Sequence, residues 1–204
     1  MSEFSVGQLA QDLASGYYAH AAAIAIARNP RAAILAPPTL PGHLVPIGLV
    51  GRKDGTEHAF DFRLFLERGV LDLADQFDRV WLTGALLELG DALAAERYFD
   101  HAPVLELIYH LRNGIAHGNR ITIDSHGRKR LTLYPAHNRQ ALIRGDKLAE
   151  FEIGPGLNGS AVLFDFMGPA DVLDLFMSVA DHLLRIADGQ PGLSPVRAEI
   201  LGPR

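Results

Sequence analysis

Residues 103–118 read PVLELIYHLRNGIAHG and carry the clearest helical pattern in the chain. Four apolar residues of this segment fall within about 60° of one another at about 100° per residue: Val104, Ile108, Leu111 and Ile115. Asp100 is a candidate N-cap, and Pro103 suits the first helical turn. The segment therefore predicts an amphipathic helix with one apolar side turned toward a core.

Three further segments repeat apolar residues at helical spacing, namely 6–27, 70–98 and 169–187. The second contains Gly84 and Gly90. Each glycine costs a helix interior about 1 kcal/mol relative to alanine, which favours a kink or a split there. Together with 103–118, these segments predict a mainly α fold.

Two regions have the pattern of β-strands. The turn-forming pair Asp54-Gly55 separates 44–52 from 56–62 and predicts a small hairpin. Alternation in the short runs 121–123, 131–133, 151–153 and 162–164 predicts an antiparallel meander, inserted at about 120–166. We expect a single domain, 1–188, followed by a flexible C-terminal tail, 189–204.

The composition is that of a globular protein, with 48% hydrophobic and 21% charged residues in 204. It contains no cysteine, which excludes disulfides, a thiolate nucleophile and a zinc site built from thiolates. The most apolar early stretch, 17–27, is too short to cross a bilayer, and acidic residues precede it. We therefore expect a cytoplasmic protein with neither signal peptide nor membrane partner.

Charge is distributed unevenly along the chain, whose formal net charge is −5. The stretch 112–147 holds eight basic and two acidic residues, a net charge of +6, so the remainder carries −11. Such a stretch suits the phosphates of a nucleic acid, and the residues we select as candidate RNA-binding groups are Arg120, Arg128, Lys129 and Arg130. The alternative is a solvated surface that happens to use arginine.

Several familiar motifs are incomplete or absent. The run 154–159, GPGLNG, matches the spacing of a dinucleotide fingerprint, but the expected continuation is a strand and Pro155 lacks a backbone donor, so a turn is the better interpretation. The sequence has no HExxH metal motif, no GxSxG nucleophile elbow and no phosphate-binding GK[ST] loop. We expect no metal and no cofactor.

The segment Arg112-Asn113-Gly114-Ile115-Ala116-His117, at the end of the 103–118 helix, resembles the signature of the HEPN superfamily. The resemblance covers about fifteen residues and implies a HEPN-like helical bundle, with the β region as an insertion. It also implies a metal-independent endoribonuclease. His117 would be the acid–base group, Arg112 the phosphate clamp and Asn113 a supporting residue, and the products would be 2′,3′-cyclic phosphate and 5′-hydroxyl ends.

These residue types suit RNA cleavage. Histidine transfers protons near neutral pH, and arginine is a permanent, forked donor for phosphate oxygens. In the family an acidic residue from a preceding helix often supports the site, and Asp91, Glu96 and Asp100 are the candidates here. Asn119 stands where some branches have a tyrosine modified by a partner enzyme. The resemblance further implies a role in phage defence or a toxin system, with a possible antitoxin or regulatory protein as partner.

Helix geometry adds one constraint. On an unbroken helix, Arg112 and His117 lie about 140° apart and would not face one substrate. Either Gly114 ends or kinks the helix, or two protomers of a homodimer contribute to one cleft, with the Arg112 helices at the interface. Two alternatives remain: a purely structural role for these residues, and a non-catalytic dimeric module that binds RNA or a partner or acts as a sensor.

Overall fold

The computed structural model describes residues 1–29, 31, 37–64, 74–139 and 149–193. The fold is mainly α, as the sequence predicts, and it has one small antiparallel sheet among these residues. The helices are α1 (Glu3–Ala27), α2 (Ala74–Ala95), α3 (Pro103–Ala116), α4 (Ser125–Leu133) and α5 (Pro169–Ala187), with a short 3₁₀ turn at Pro155–Leu157. None of the helices in these ranges combines the length and the apolar character needed to cross a membrane.

Two compact units make up the chain. The larger contains Met1–Gly16 and Arg79–Arg204, and the smaller contains Tyr17–Asp78. In the smaller unit, β1 (Ile47–Gly51) pairs with β2 (Glu57–Asp61) in antiparallel register. Gly55 takes a positive φ of 83° in the turn, and the carboxylate of Asp54 accepts hydrogen bonds from Thr56. The predicted hairpin around Asp54-Gly55 is confirmed, with shorter strands.

The core of the larger unit is built around α3. Ten of its fourteen residues are buried, which is more than the predicted apolar stripe alone requires. Three helices contribute many of the fully buried side chains, among them Leu82, Leu86, Leu89 and Leu93 of α2, Leu105, Leu107, Ile108 and Leu111 of α3, and Phe176 of α5. The observed α5 has the predicted bounds 169–187. Because α3 is enclosed, the residues of this helix that are not buried are limited to Tyr109, Arg112, Asn113 and Ala116.

Two glycines in the helices permit close packing rather than helix breaks. A Cβ on Gly90 would lie 2.3 Å from Cγ of Arg112, and one on Gly114 would lie 2.5 Å from Cγ2 of Val162. The helix α2 is unbroken from Ala74 to Ala95, so neither Gly84 nor Gly90 splits it. Residues 70–73 of the predicted helix lie outside the described ranges. Likewise, α3 continues through Gly114 to Ala116, so Gly114 does not end the helix.

The start of α3 differs from the predicted one by two residues. Its N-cap is Ala102, with Pro103 in the first turn as expected. Asp100 acts earlier, because its carboxylate accepts a hydrogen bond from the backbone N–H of Ala102 at 3.0 Å. The chain before it bends sharply, and Arg97, Tyr98, Phe99 and His101 all take positive φ values.

The predicted meander at 120–166 is wrong in its central part. Residues 125–133 form the helix α4, because the side chain of Asp124 caps it by accepting a bond from the N–H of Gly127 at 2.7 Å. Leu133, at the end of the run 131–133 that was predicted to be a strand, is the last residue of α4 and is 62% exposed. Elsewhere the region has isolated bridges, such as those joining Arg120 to Ala161 and His137 to Glu152. The parts at 140–148, and 194–204 of the predicted tail, lie outside the described residues.

Asparagine side chains take over much of the pairing that strands would supply in this region. Oδ1 of Asn119 accepts from the N–H of Leu163 at 2.8 Å, and Oδ1 of Asn158 accepts from the N–H of Ile123, also at 2.8 Å. Asn119 itself takes a positive φ of 63°, which asparagine tolerates better than most residues. The first bond ties the end of α3 to the segment after α4, and the second joins the segments before and after α4.

Candidate functional site

One face of α3 carries polar side chains near its C-terminal end. His110, Asn113 and His117 are spaced three and four residues apart, which brings them within about 60° on a helix. His117 is the C-cap, and its backbone N–H donates to the carbonyl of Asn113 at 3.1 Å. Gly118 follows with a positive φ of 79° and ends the helix. The helix end therefore places Asn113 and His117 side by side.

These residues line an open pocket of about 200 Å³. Its other wall comes from the segment that leads into α4 and from the first turn of that helix. The lining residues are Tyr109, His110, Asn113, His117, Thr122, Asp124, His126 and Gly127. The pocket thus brings together two residues predicted from the sequence, Asn113 and His117, and a second exposed histidine, His126.

The cap of α4 shapes the second wall. The backbone N–H of Gly127 is the main cause that holds the pKa of Asp124 below its ordinary value. Asp124 is therefore a carboxylate at neutral pH, and its hydrogen bond fixes the first turn of α4 on which His126 lies. The pocket consequently contains one fixed negative charge.

His110 is the most enclosed residue of the pocket. It is 3% exposed, and its Nε2 has no hydrogen-bond partner in the described part of the chain. Burial, followed by the positive charge of Arg130, lowers the pKa of His110 to about 4. Its imidazole is therefore neutral at physiological pH and presents an unused polar atom.

Arg112 is not among the residues that line this pocket. Its Nε and Nη2 both donate to Oδ1 of Asp91 on α2, at 2.9 and 2.5 Å, and its Nη1 lies 3.4 Å from Oδ1 of Asn113. Asp91 is thus the one among the three acidic candidates that contacts Arg112. Glu96 instead accepts from the N-terminal ammonium group, and Asp100 contacts His182. Within one chain, Arg112 reaches the pocket only through Asn113.

The four candidate RNA-binding residues occupy different environments. Arg120, Arg128 and Lys129 are exposed. Nη1 of Arg120 donates to the carbonyl of Gly159 at 3.0 Å, and Nη1 of Arg128 donates to that of Ile123 at 3.2 Å. These single bonds leave most of each guanidinium available to a ligand.

Arg130 is held inside the larger unit. Its Nε and Nη2 donate to the two carboxylate oxygens of Glu106 at 2.6 and 2.8 Å, and its guanidinium lies 4.0 Å from the ring centre of Tyr109. Glu106 is fully buried and also contacts Nδ1 of His101 at 2.7 Å. Arg130 therefore joins α3 to α4 and has little left to offer a ligand.

Sequence reasoning did not select His110, His126 or Asp124. The spacing of His110, Asn113 and His117 at i, i+3 and i+7 was a usable signal for a polar helical face. Aspartate is a favoured N-cap residue, so Asp124 was a possible helix start, but the segment 120–166 was interpreted as strands. His126 reaches the pocket only because α4 begins where it does, which no local pattern specifies.

Within the described ranges, no three histidine or acidic side chains are arranged to hold a metal ion. Comparison with known proteins gives no match to a family model, to a curated protein or to a solved structure. The family resemblance of residues 112–117 therefore rests on that motif and on its place at the end of a buried helix.

Proposed function

We propose that this protein is a metal-independent endoribonuclease of HEPN type, whose site is the pocket at the end of α3. One observation carries the proposal most: His117 and His126, two exposed histidines from different elements, line the same pocket as Asn113. Cleavage of RNA by its own 2′-hydroxyl needs one group to accept a proton and another to donate one. Two histidines supply both near neutral pH.

The proposed reaction is a transesterification. One histidine removes the proton of the 2′-hydroxyl, and the 2′-oxygen attacks the adjacent phosphorus. The bond from phosphorus to the 5′-oxygen breaks, and the other histidine gives that oxygen a proton. The products are a 2′,3′-cyclic phosphate and a 5′-hydroxyl, and no water is consumed. Asn113, which lines the pocket, would support the reaction by orienting the nucleotide as a hydrogen-bond donor.

Positive charge for the phosphate has two proposed sources. Arg128 and Lys129 are exposed on α4, whose first turn forms a wall of the pocket, and Arg120 lies on the segment before it. Arg112 would act across a homodimer, in which the guanidinium of one protomer stands beside the pocket of the other. It uses three of its five N–H groups on Asp91 and Asn113, which leaves two for a phosphate.

The test is cleavage of a mixed, folded RNA in EDTA. We expect His117→Ala and His126→Ala each to lower the rate by about 10²- to 10⁴-fold, because each removes a proton-transfer group. His43→Ala is the matched control, because His43 is exposed in the smaller unit. End-group analysis should find 2′,3′-cyclic phosphates. Cleavage that survives both pocket substitutions would contradict the proposal.

The same assay examines the shared site. Arg112→Ala and His117→Ala should each be inactive alone, and mixing them should restore part of the activity if one protomer supplies the arginine and the other the histidine. Mixing without recovery, at concentrations where a dimer forms, would contradict the shared site. Activity retained by Arg112→Ala alone would instead assign phosphate binding to the other exposed cations, Arg120, Arg128 and Lys129.

A second candidate is a non-catalytic dimeric module that binds RNA or a regulatory partner. The contact of Arg112 with Asp91, away from the pocket, favours it. Under this alternative the protein binds RNA without cutting it, and Arg128→Ala weakens binding while His117→Ala does not. A role in phage defence or a toxin system, with an antitoxin as partner, belongs with the first candidate.

A further inference from the structure

We propose that His110 and Asn113 form the floor of the pocket and bind the base of one unpaired nucleotide, a substrate assignment that rests on the proposed ribonuclease function. The uncharged base of the bound nucleotide would then lie inside the pocket, and the phosphates would lie at its rim.

The unused Nε2 of His110 is the first support. This atom is enclosed and without a partner in the described part of the chain, yet it belongs to a residue that lines an open pocket. A buried polar atom without a partner is costly, and a native protein normally has a reason to keep one. A ligand that enters the pocket can supply the missing hydrogen bond.

The chemistry of the floor suits a base better than a phosphate. The neutral imidazole of His110 offers one donor or one acceptor but no positive charge. Asn113 beside it has an amide, whose Oδ1 lies toward Nη1 of Arg112 and whose Nδ2 is left to donate. Neutral donors and acceptors of this kind pair with the edges of unstacked bases.

Charge places the phosphates outside. The carboxylate of Asp124 already lines the pocket, and a second anion beside it would be repelled. The cations Arg128 and Lys129 lie exposed on α4, where a sugar–phosphate backbone would pass. This division of charge favours a base on the inside and a chain of phosphates along the outside.

Size points to a single unpaired nucleotide. The pocket of about 200 Å³ has the volume of roughly seven waters at about 30 Å³ each, which is the scale of one heterocycle. A base in a duplex has its edge paired and its faces stacked, so it cannot reach His110. We therefore expect cleavage in loops and single strands, beside the base that occupies the pocket.

The test uses the four ribonucleosides, which carry no phosphate and cannot be cleaved. Each is titrated into the full-length protein while the imidazole resonances of ¹⁵N-labelled histidine are followed by NMR. We expect at least one nucleoside to shift the His110 resonances, and His110→Leu to weaken its binding about 3- to 10-fold, the value of one neutral hydrogen bond. His43→Leu is the matched control and should bind as the wild type does.

Thermal unfolding and cleavage kinetics separate a structural role from a binding role. His110→Leu removes an unpaired buried nitrogen and should keep or raise the unfolding temperature, while it raises KM for a short single-stranded RNA. His110→Gln keeps a polar group and should recover part of the binding. A variant that loses stability instead, or one that binds nucleosides as well as wild type, would overturn the inference.

The outcomes distinguish this inference from the proposed function. Nucleoside binding at His110 without any RNA cleavage would support the base pocket and contradict the proposed ribonuclease function. If His110→Leu cleaves RNA with the KM and the base preference of the wild type, the ribonuclease function is supported and the base pocket is contradicted.

Discussion

Replacing Arg130 with methionine should reveal whether this residue belongs to the RNA-binding surface or to the core. In the structure its guanidinium makes a two-point contact with Glu106, at 2.6 and 2.8 Å, and covers the ring of Tyr109. The Glu106 side chain is fully buried and that of Arg130 is 18% exposed. Arg130→Met removes both of these hydrogen bonds from the buried carboxylate of Glu106, which keeps its contact with Nδ1 of His101.

The expected cost is large. Removing one partner of a buried ion pair destabilises a protein by about 3–5 kcal/mol, because the remaining charge loses its compensation. Domains of this kind have a total stability of about 5–15 kcal/mol, so the variant should lose a substantial fraction of it. Adding Glu106→Gln removes the stranded charge and keeps an oxygen for His101. The double variant should therefore recover most of the loss.

The assay is urea unfolding followed by circular dichroism, with the four corners of the double-mutant cycle measured together. Lys129→Met is the control, because Lys129 is the exposed neighbour on the same helix, and its effect should stay within about 0.5 kcal/mol. An Arg130→Met variant as stable as Lys129→Met, but weaker in RNA binding, would refute this reasoning. It would return Arg130 to the RNA-binding surface.

Two further predictions concern stability. Gly114→Ala should destabilise the protein by about 1–3 kcal/mol, because the new Cβ overlaps Val162. Gly84→Ala should stabilise it by about 1 kcal/mol, because nothing lies within 4 Å of the new Cβ and alanine favours a helix. Equal effects of the two substitutions in urea unfolding would contradict the packing argument. The lowered pKa of His110 means that the unfolded chain binds a proton at higher pH than the folded one does. The free energy of unfolding should therefore be unaffected by this residue above about pH 6.5, and it should fall by roughly 3 kcal/mol in all as the pH drops toward 4. His110→Leu should flatten that part of a curve of stability against pH.

The helices could be predicted because their apolar residues repeat at the helical period. Val104, Ile108, Leu111 and Ile115 are all buried, as their spacing requires. The period does not show how many further faces a helix buries, and α3 is enclosed on more sides than its stripe indicates. The helical period also does not show whether a glycine breaks the helix or allows another side chain to pack closely against it. That depends on Arg112 and Val162, which are distant in sequence from Gly90 and Gly114.

The predicted meander is wrong at residues 125–133 for a local reason. Leucines at 131 and 133 alternate with a threonine, which is the strand pattern, yet the aspartate at 124 caps a helix that includes them. A cap bond satisfies backbone donors at the helix start, and the asparagines around α4 pair with the flanking segments. Alternation over three residues is too short a signal to compete with these bonds.

The location of Arg112 is the strongest constraint on any mechanism for this site. Gly90 lets the stem of Arg112 lie against α2, and Asp91 binds its guanidinium there, while the unbroken helix keeps His117 about 140° away. A single protomer therefore presents its histidines and this arginine on different sides of α3. Arg112 can influence its own pocket by fixing the amide of Asn113, and in the proposed homodimer it would supply charge to a phosphate in the pocket of the other protomer. A ribonuclease that works as a monomer would take its phosphate-binding cation from α4 or from Arg120 instead.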